Sequence, residues 1–266
     1  MKTPLYYLRI YLSIVTQYIK AKLQYRTDFF ISTIGMIFTN IAGIFPVWII
    51  FHNIPSLHGL SFHEMLFIYC FSLLALSPLQ LFFDNIWSIW SHLLSGTFIK
   101  YYLKPMNVMF YYMSEVFDLK GLSQVAIGIG GLIYASNQLD VQWTLLNIVL
   151  LIVSLIGASL IMISLMILAA STGFWIMDPW NVISLVNRFR DFAKYPVSIF
   201  NDFFKFIFTF IIPIGCIAFY PSQLFLNPLQ DNEMIVFFSP LIGIVLFIIA
   251  NAVWNKGINS YSGTGS

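Results

Sequence analysis

The chain has 266 residues, of which 59% are apolar, 18% aromatic and only 9% charged. A soluble domain carries about 25% charged residues, so this composition excludes a water-covered globule and defines an integral membrane protein, one transmembrane domain over residues 1–266. The formal net charge of +2 says little alone, because the position of cations matters more than their sum, and no nucleic-acid partner is expected.

Residues 1–27 lack the single apolar stretch and small-residue cleavage site of a signal peptide. Leu5, Leu8, Leu12, Val15, Ile19 and Leu23 recur at helical spacing, with Arg9, Ser13, Lys20 and Gln24 on the other side. That pattern predicts an interfacial helix in the headgroup plane, anchored by Arg9, Lys20 and Arg26. The first span is expected at 29–51, with Asn40 near its middle and a kink at Pro46. A second follows at 63–83, its far end made less apolar by Ser72, Ser77, Pro78 and Gln80. Asn40, Gln80 and Pro213 are the polar or helix-breaking residues expected to line a pathway or pack helices.

Ile86–Pro105, IWSIWSHLLSGTFIKYYLKP, is too polar to span a bilayer and reads as an amphipathic segment broken at Ser95-Gly96. The third span is expected at 115–134, with Glu115, Asp118 and Lys120 near its start. Gly128, Gly130 and Gly131 sit in an apolar helix with no strand before them, so they signal close packing and not a nucleotide loop. The fourth span falls at 143–167. Residues 176–196 read as a second interfacial stretch anchored by Arg188 and Arg190. A fifth span is expected at 203–220, bent at Pro213 and Gly215, then an outer segment at 221–233 that re-enters the membrane edge, then a sixth span at 234–254.

With six spans, all 13 Lys and Arg fall on one side. The positive-inside bias makes that side the cytoplasm and places both termini and the 86–105 stretch there.

No catalytic constellation is present. His52, His58 and His63 lie in or beside an outer loop, His92 lies in the 86–105 stretch, and none sits mid-span beside a serine. Cys70 and Cys216 fall in apolar runs and read as buried thiols. There is no Walker A sequence, so the chain is not expected to hydrolyse ATP itself. The span centres hold no charge of the kind that ion-driven carriers use.

Several segments carry a resemblance. SGTFIKYYLKPMN (95–107), FDLKGLSQVAIGIGGLIYA (117–135), FAKYPVSIF (192–200), FIIPIGCIAFYP (210–221) and YSGTGS (261–266) resemble, in order and spacing, the short six-span bacterial branch of the ABC-2 family of transporter permeases. The resemblance implies an all-α integral membrane fold with an N-terminal elbow helix, six transmembrane helices, a cytoplasmic coupling helix between spans two and three, and a re-entrant outer segment between spans five and six. It further implies a bacterial plasma-membrane exporter of two permease chains, identical or related, on two cytoplasmic ATPase subunits. The ATPase would hold the ATP and Mg²⁺, and this chain would hold no cofactor. Trp87, Trp90, Leu93, Leu94, Gly96, Phe98, Lys100, Tyr101, Lys104 and Pro105 are then the expected coupling residues. An uncharged, aromatic interior suits an amphipathic or hydrophobic cargo. Two other readings are a secondary carrier driven by an ion gradient and a non-transporting membrane scaffold.

Overall fold

The computed structural model describes residues 4–176, 178–226 and 235–261. Every regular element among them is helical. The first helix, α1 (Pro4–Gln24), is amphipathic and leaves Leu5, Leu8, Leu12 and Leu23 exposed. The first span is two helices, α2 (Arg26–Ala42) and α3 (Phe45–Asn53). Pro46 has no N–H to bond Ala42, so the ladder breaks between them. Gly43, at the break, lets the chain lie against the next span: a Cβ there would sit 2.2 Å from the Tyr69 hydroxyl. That hydroxyl donates to the Asn40 carbonyl at 2.7 Å. Asn40 thus joins two helices through its backbone, while its side-chain Nδ2 has no partner.

The centre of the bundle is α4 (Phe62–Phe82), whose side chains from Met65 to Leu76 are almost all buried. Ser61 and Glu64 start it with a capping box: the Ser61 N–H donates to Glu64 at 2.7 Å and the Glu64 N–H to Ser61 Oγ at 3.4 Å. Against α4 lies α8 (Gly121–Gln138). Gly128 and Gly131 admit it, because Cβ atoms there would meet Leu74 at 2.8 Å and the Cys70 sulfur at 2.3 Å; Gly130 faces open space. This helix begins six residues later than the 115–134 expectation, since 115–120 form the non-helical approach to it.

The longest helices, α9 (Leu145–Ser171) and α13 (Ile235–Ser260), pack on each other. The contact is backbone to backbone. A Cβ on Gly157 would lie 2.4 Å from Pro240 Cα, and one on Gly243 would lie 2.3 Å from the Gly157 carbonyl oxygen. Without a hydrophobic effect between helices in lipid, such close approach is the main source of association.

The 176–196 stretch contains one amphipathic helix. Its helix, α10 (Trp180–Phe192), starts where Trp180 meets Trp87 at a centroid distance of 5.6 Å and Pro179 meets Gly173. It packs on α9. Arg190 is in electrostatic reach of Asp84 and Asp191, while Arg188 is exposed.

The predicted fifth span is not one helix. A helix α11 (Asp202–Phe206) and a wider π turn (Ile207–Ile211) give ten helical residues, about 15 Å, half the roughly 30 Å of a bilayer core. Pro213 stops it, lacking an N–H to donate. The chain then folds back so that the Gly215 N–H donates to the Phe208 carbonyl at 2.9 Å, with Val197 and Tyr220 packed over Gly215. The next helix, α12 (Phe219–Leu226), sets Phe225 against Phe67 and Trp143. The rest of the expected re-entrant segment, 227–233, lies outside the described residues.

Four helical stretches are long and apolar enough to cross a membrane among the described residues: Arg26–Asn53, Phe62–Phe82, Leu145–Phe174 and Phe238–Ser260. The polar ends of α8 and the break at Pro213 are why the other two expected spans are not in that set.

A substitution series tests the glycine contacts. Gly243→Leu and Gly157→Leu should each destabilise the purified protein by about 1–3 kcal/mol or more, because overpacking is opposed by backbone. Gly130→Leu should be near neutral, and thermal unfolding in detergent separates the three.

Candidate coupling surface

The segment between α4 and α8 is folded into four short pieces. A 3-10 turn (Asp84–Ser88) leads into α5 (Ile89–Leu94), a reversal at 95–98, α6 (Ile99–Tyr102), and α7 (Val108–Ser114). Ser95 caps α5, and Gly96 follows with φ +70°, the left-handed geometry that closes helices and favours glycine. The Gly96 N–H returns to the Leu93 carbonyl at 3.2 Å and the Phe98 N–H to the His92 carbonyl at 3.1 Å.

The reversal drives Phe98 inward. It is fully buried and rings the same knot as Tyr101, Tyr102, Tyr112, Phe174, Trp254 and Tyr261, with centroid distances of 5.3 to 6.4 Å. Phe174 closes α9 and Trp254 belongs to α13, so one side chain ties the loop to both long helices. Tyr102 adds a hydrogen bond to the Ile258 carbonyl at 2.7 Å.

A second tie fastens the two ends of the loop to each other. Asn85 Nδ2 donates to the Tyr112 carbonyl at 2.7 Å, and the Tyr112 hydroxyl donates to the Asn85 carbonyl at 2.8 Å. The two residues clamp each other reciprocally. Glu115 closes the surface side: Lys100 pairs with it at 3.0 Å and the Tyr101 hydroxyl donates to it. Burial pushes the Tyr101 and Tyr112 hydroxyls up from the ordinary phenol value, so both remain protonated donors.

Beside the clamp is a polar bridge. Gln80 Nε2 donates to Asp118 at 2.7 Å and to Asp84 at 3.2 Å, and Lys120 stands 3.9 Å from Asp118. Burial and the facing Asp118 push the Asp84 carboxyl up to about 6, against the opposing pull of Lys120, Lys22 and Arg190. Gln80 is thus a junction residue between the ends of α4 and α8.

The expected coupling residues separate into two groups. Phe98 and Tyr101 are fully buried, Leu93 is buried and Trp87 half-buried against Trp180. These hold the loop to the bundle. Trp90, Leu94, Lys100, Lys104 and Pro105 face outward, joined by Ile99 and Leu103, the latter 78% exposed. Asn85, Tyr112 and Trp254 were not singled out by sequence reasoning. Asn85 ends an apolar run and resembles any helix-stopping asparagine, and the aromatics are three among many.

These features define an all-helical integral membrane protein whose bundle carries a rigid loop with an exposed apolar tip. The family model described as ABC-2 family transporter protein matches residues 35–265, and the chain belongs to that family. Comparisons with curated proteins and with solved structures gave no match.

Two measurements test the junction. Phe98→Ala should cost about 3–5 kcal/mol, read as a lowered unfolding midpoint. The Asp84 carboxyl is raised in the folded chain above its usual value near 3.9, so its ionisation opposes folding. Stability should fall as pH rises from about 4 to 7, through the folded value near 6. Asp84→Asn should flatten that part of the profile, measured by unfolding midpoint against pH.

Proposed function

We propose that the chain is the permease subunit of an ATP-driven ABC transporter, that ATP and Mg²⁺ are bound by a separate cytoplasmic ATPase, and that a second permease chain completes the complex. Membership of the ABC-2 family gives the transport system, and the observation that carries the reading is the folded 84–114 loop. Its outer tip, Leu94, Ile99 and Leu103, is apolar and exposed, whereas its inner side is locked by Phe98 to α9 and α13, and the Asn85–Tyr112 clamp closes the loop's two ends on each other.

In this reading the tip seats in a groove on the ATPase. When ATP closes the ATPase dimer, the tip moves, and the knot passes the displacement to the two long helices α9 and α13 together. Closely packed interiors transmit such strain because they deform little. Two permeases then switch access to the pathway between them. We infer six spans in total, counting α8 as the third and the α10–α12 region as the fifth, with the loop and both termini on the cytoplasmic side of a bacterial plasma membrane. Export of an amphipathic or hydrophobic compound follows the family resemblance and the uncharged, aromatic-rich interior.

The test is a split between outward and inward residues. Paired acidic substitutions at Leu94 and Leu103 should leave the chain folded and inserted, yet abolish substrate-stimulated ATPase activity in reconstituted complexes. Gly96→Pro, placed at a positive φ that proline cannot adopt, should uncouple as well. Full coupled transport by the Leu94 and Leu103 double variant would overturn the assignment.

A further inference from the structure

One chamber of about 590 Å³ lies where α1, the end of α4, α7 and α13 come together. Its size is within the range of small-molecule sites, about 300–1,000 Å³. Leu8 and Phe82 are lining residues and are also exposed on the outer surface. Leu5 and Leu12 of α1 and Ile248 of α13 are exposed around them. The rim is therefore apolar. The wall on α13 belongs to a stretch long and apolar enough to span a membrane, so a ligand reaches the chamber by partition from the bilayer.

The walls define what that ligand can be. Tyr7, Phe110, Met113 and Phe247 give an apolar surface, and no lining residue is an acid, a base or a histidine. An ionised ligand group placed there would lose water and gain no counter-charge, which is costly. Two carboxamides interrupt the apolar lining. Asn107 caps α7, its Oδ1 accepting from the Phe110 N–H at 2.9 Å, which leaves Nδ2 as a donor. Asn251 is half-buried on α13, and its carboxamide makes no hydrogen bond among the described residues. A carboxamide carries two donor hydrogens and one acceptor oxygen. In apolar surroundings, leaving them unmet costs free energy, and another amide satisfies donor and acceptor together.

We propose that this chamber is a binding site for an uncharged amphiphile, a hydrocarbon body ending in a carboxamide. The hydrocarbon packs between Phe110, Met113 and Phe247, and the head group pairs with Asn251. The bound molecule joins α1 to α7, which otherwise meet through ring contacts such as Tyr7 and Tyr11 on Phe110 at 5.0 and 6.5 Å. The inference concerns binding by this chain alone and stands independently of the ATPase and of export.

The test is photolabelling of the purified full chain in detergent. Three probes share one diazirine-bearing alkyl chain and differ in the head group: carboxamide, sulfonate or trimethylammonium. Labelled segments are identified by peptide mass spectrometry. The amide probe should label 109–113 and 247–251 about tenfold more than either charged probe, and excess unlabelled amide should compete it away. Outward residues of α8 such as Ile129 and Ile133 report background labelling from the micelle, which should not be competed. Asn251→Leu, close in size and a good helix former, should lower amide labelling of the chamber about fivefold, the loss of one to two hydrogen bonds. Met113→Trp, which fills the space, should lower it as well. Equal labelling by all three probes, chamber labelling that excess amide does not compete, or amide labelling unchanged in both variants would each overturn the proposal.

Discussion

The burial of Phe98 is the contact on which the arrangement of the loop depends. Its ring is at full burial among six other aromatic rings drawn from the loop itself, the end of α9, the end of α13 and Tyr261. Aromatic pairs of this edge-to-face kind are worth about 0.5–1.5 kcal/mol each beyond their buried area. Removing the ring would leave a cavity where three structural elements meet. The left-handed Gly96 is what aims it there: with the chain reversed at 95–98, Phe98 points into the bundle while Leu94, Ile99 and Leu103 point out. A loop with one anchored face and one exposed face can act as a lever, whereas a stretch merely resting on lipid has no such inner attachment.

Much of this was legible in the sequence, and the parts that were not have physical reasons. Long apolar runs without charge announce α4, α9 and α13, and Pro46 and Pro213 announce where helices break. Gly128 and Gly131 were readable as packing residues because they recur in one apolar helix. Gly157 and Gly243 carry a closer contact, yet each is a lone glycine whose partner lies far away along the chain. Arg190 and Lys194 read as headgroup cations, yet Arg190 has Asp84 and Asp191 in electrostatic reach and Lys194 pairs with Asp191 at 2.8 Å. The expectation of coupling residues rests on the amphipathic spacing of the stretch and on the family resemblance. That spacing identifies the loop but cannot say which face turns inward, so Phe98 and Tyr101 were grouped with the exposed residues they in fact oppose.

Asp84 has Lys22, Lys120 and Arg190 in electrostatic reach. Gln80 then matters more than a polar residue near a helix end would suggest, since it separates two carboxylates and bonds to both. The junction of α1, α4, α8 and α10 is the polar counterpart of the aromatic knot, and together they fix the loop at both of its ends.

The central claim is that the 84–114 loop docks a separate ATPase onto a pair of these chains. Native mass spectrometry of the gently solubilised complex measures it most directly. The account predicts a particle of two permease chains and two ATPase subunits that loses its ATPase subunits when Leu94 and Leu103 carry acidic residues. A chain that is recovered without any ATPase subunit, or one whose ATPase stays bound in that double variant, would contradict it.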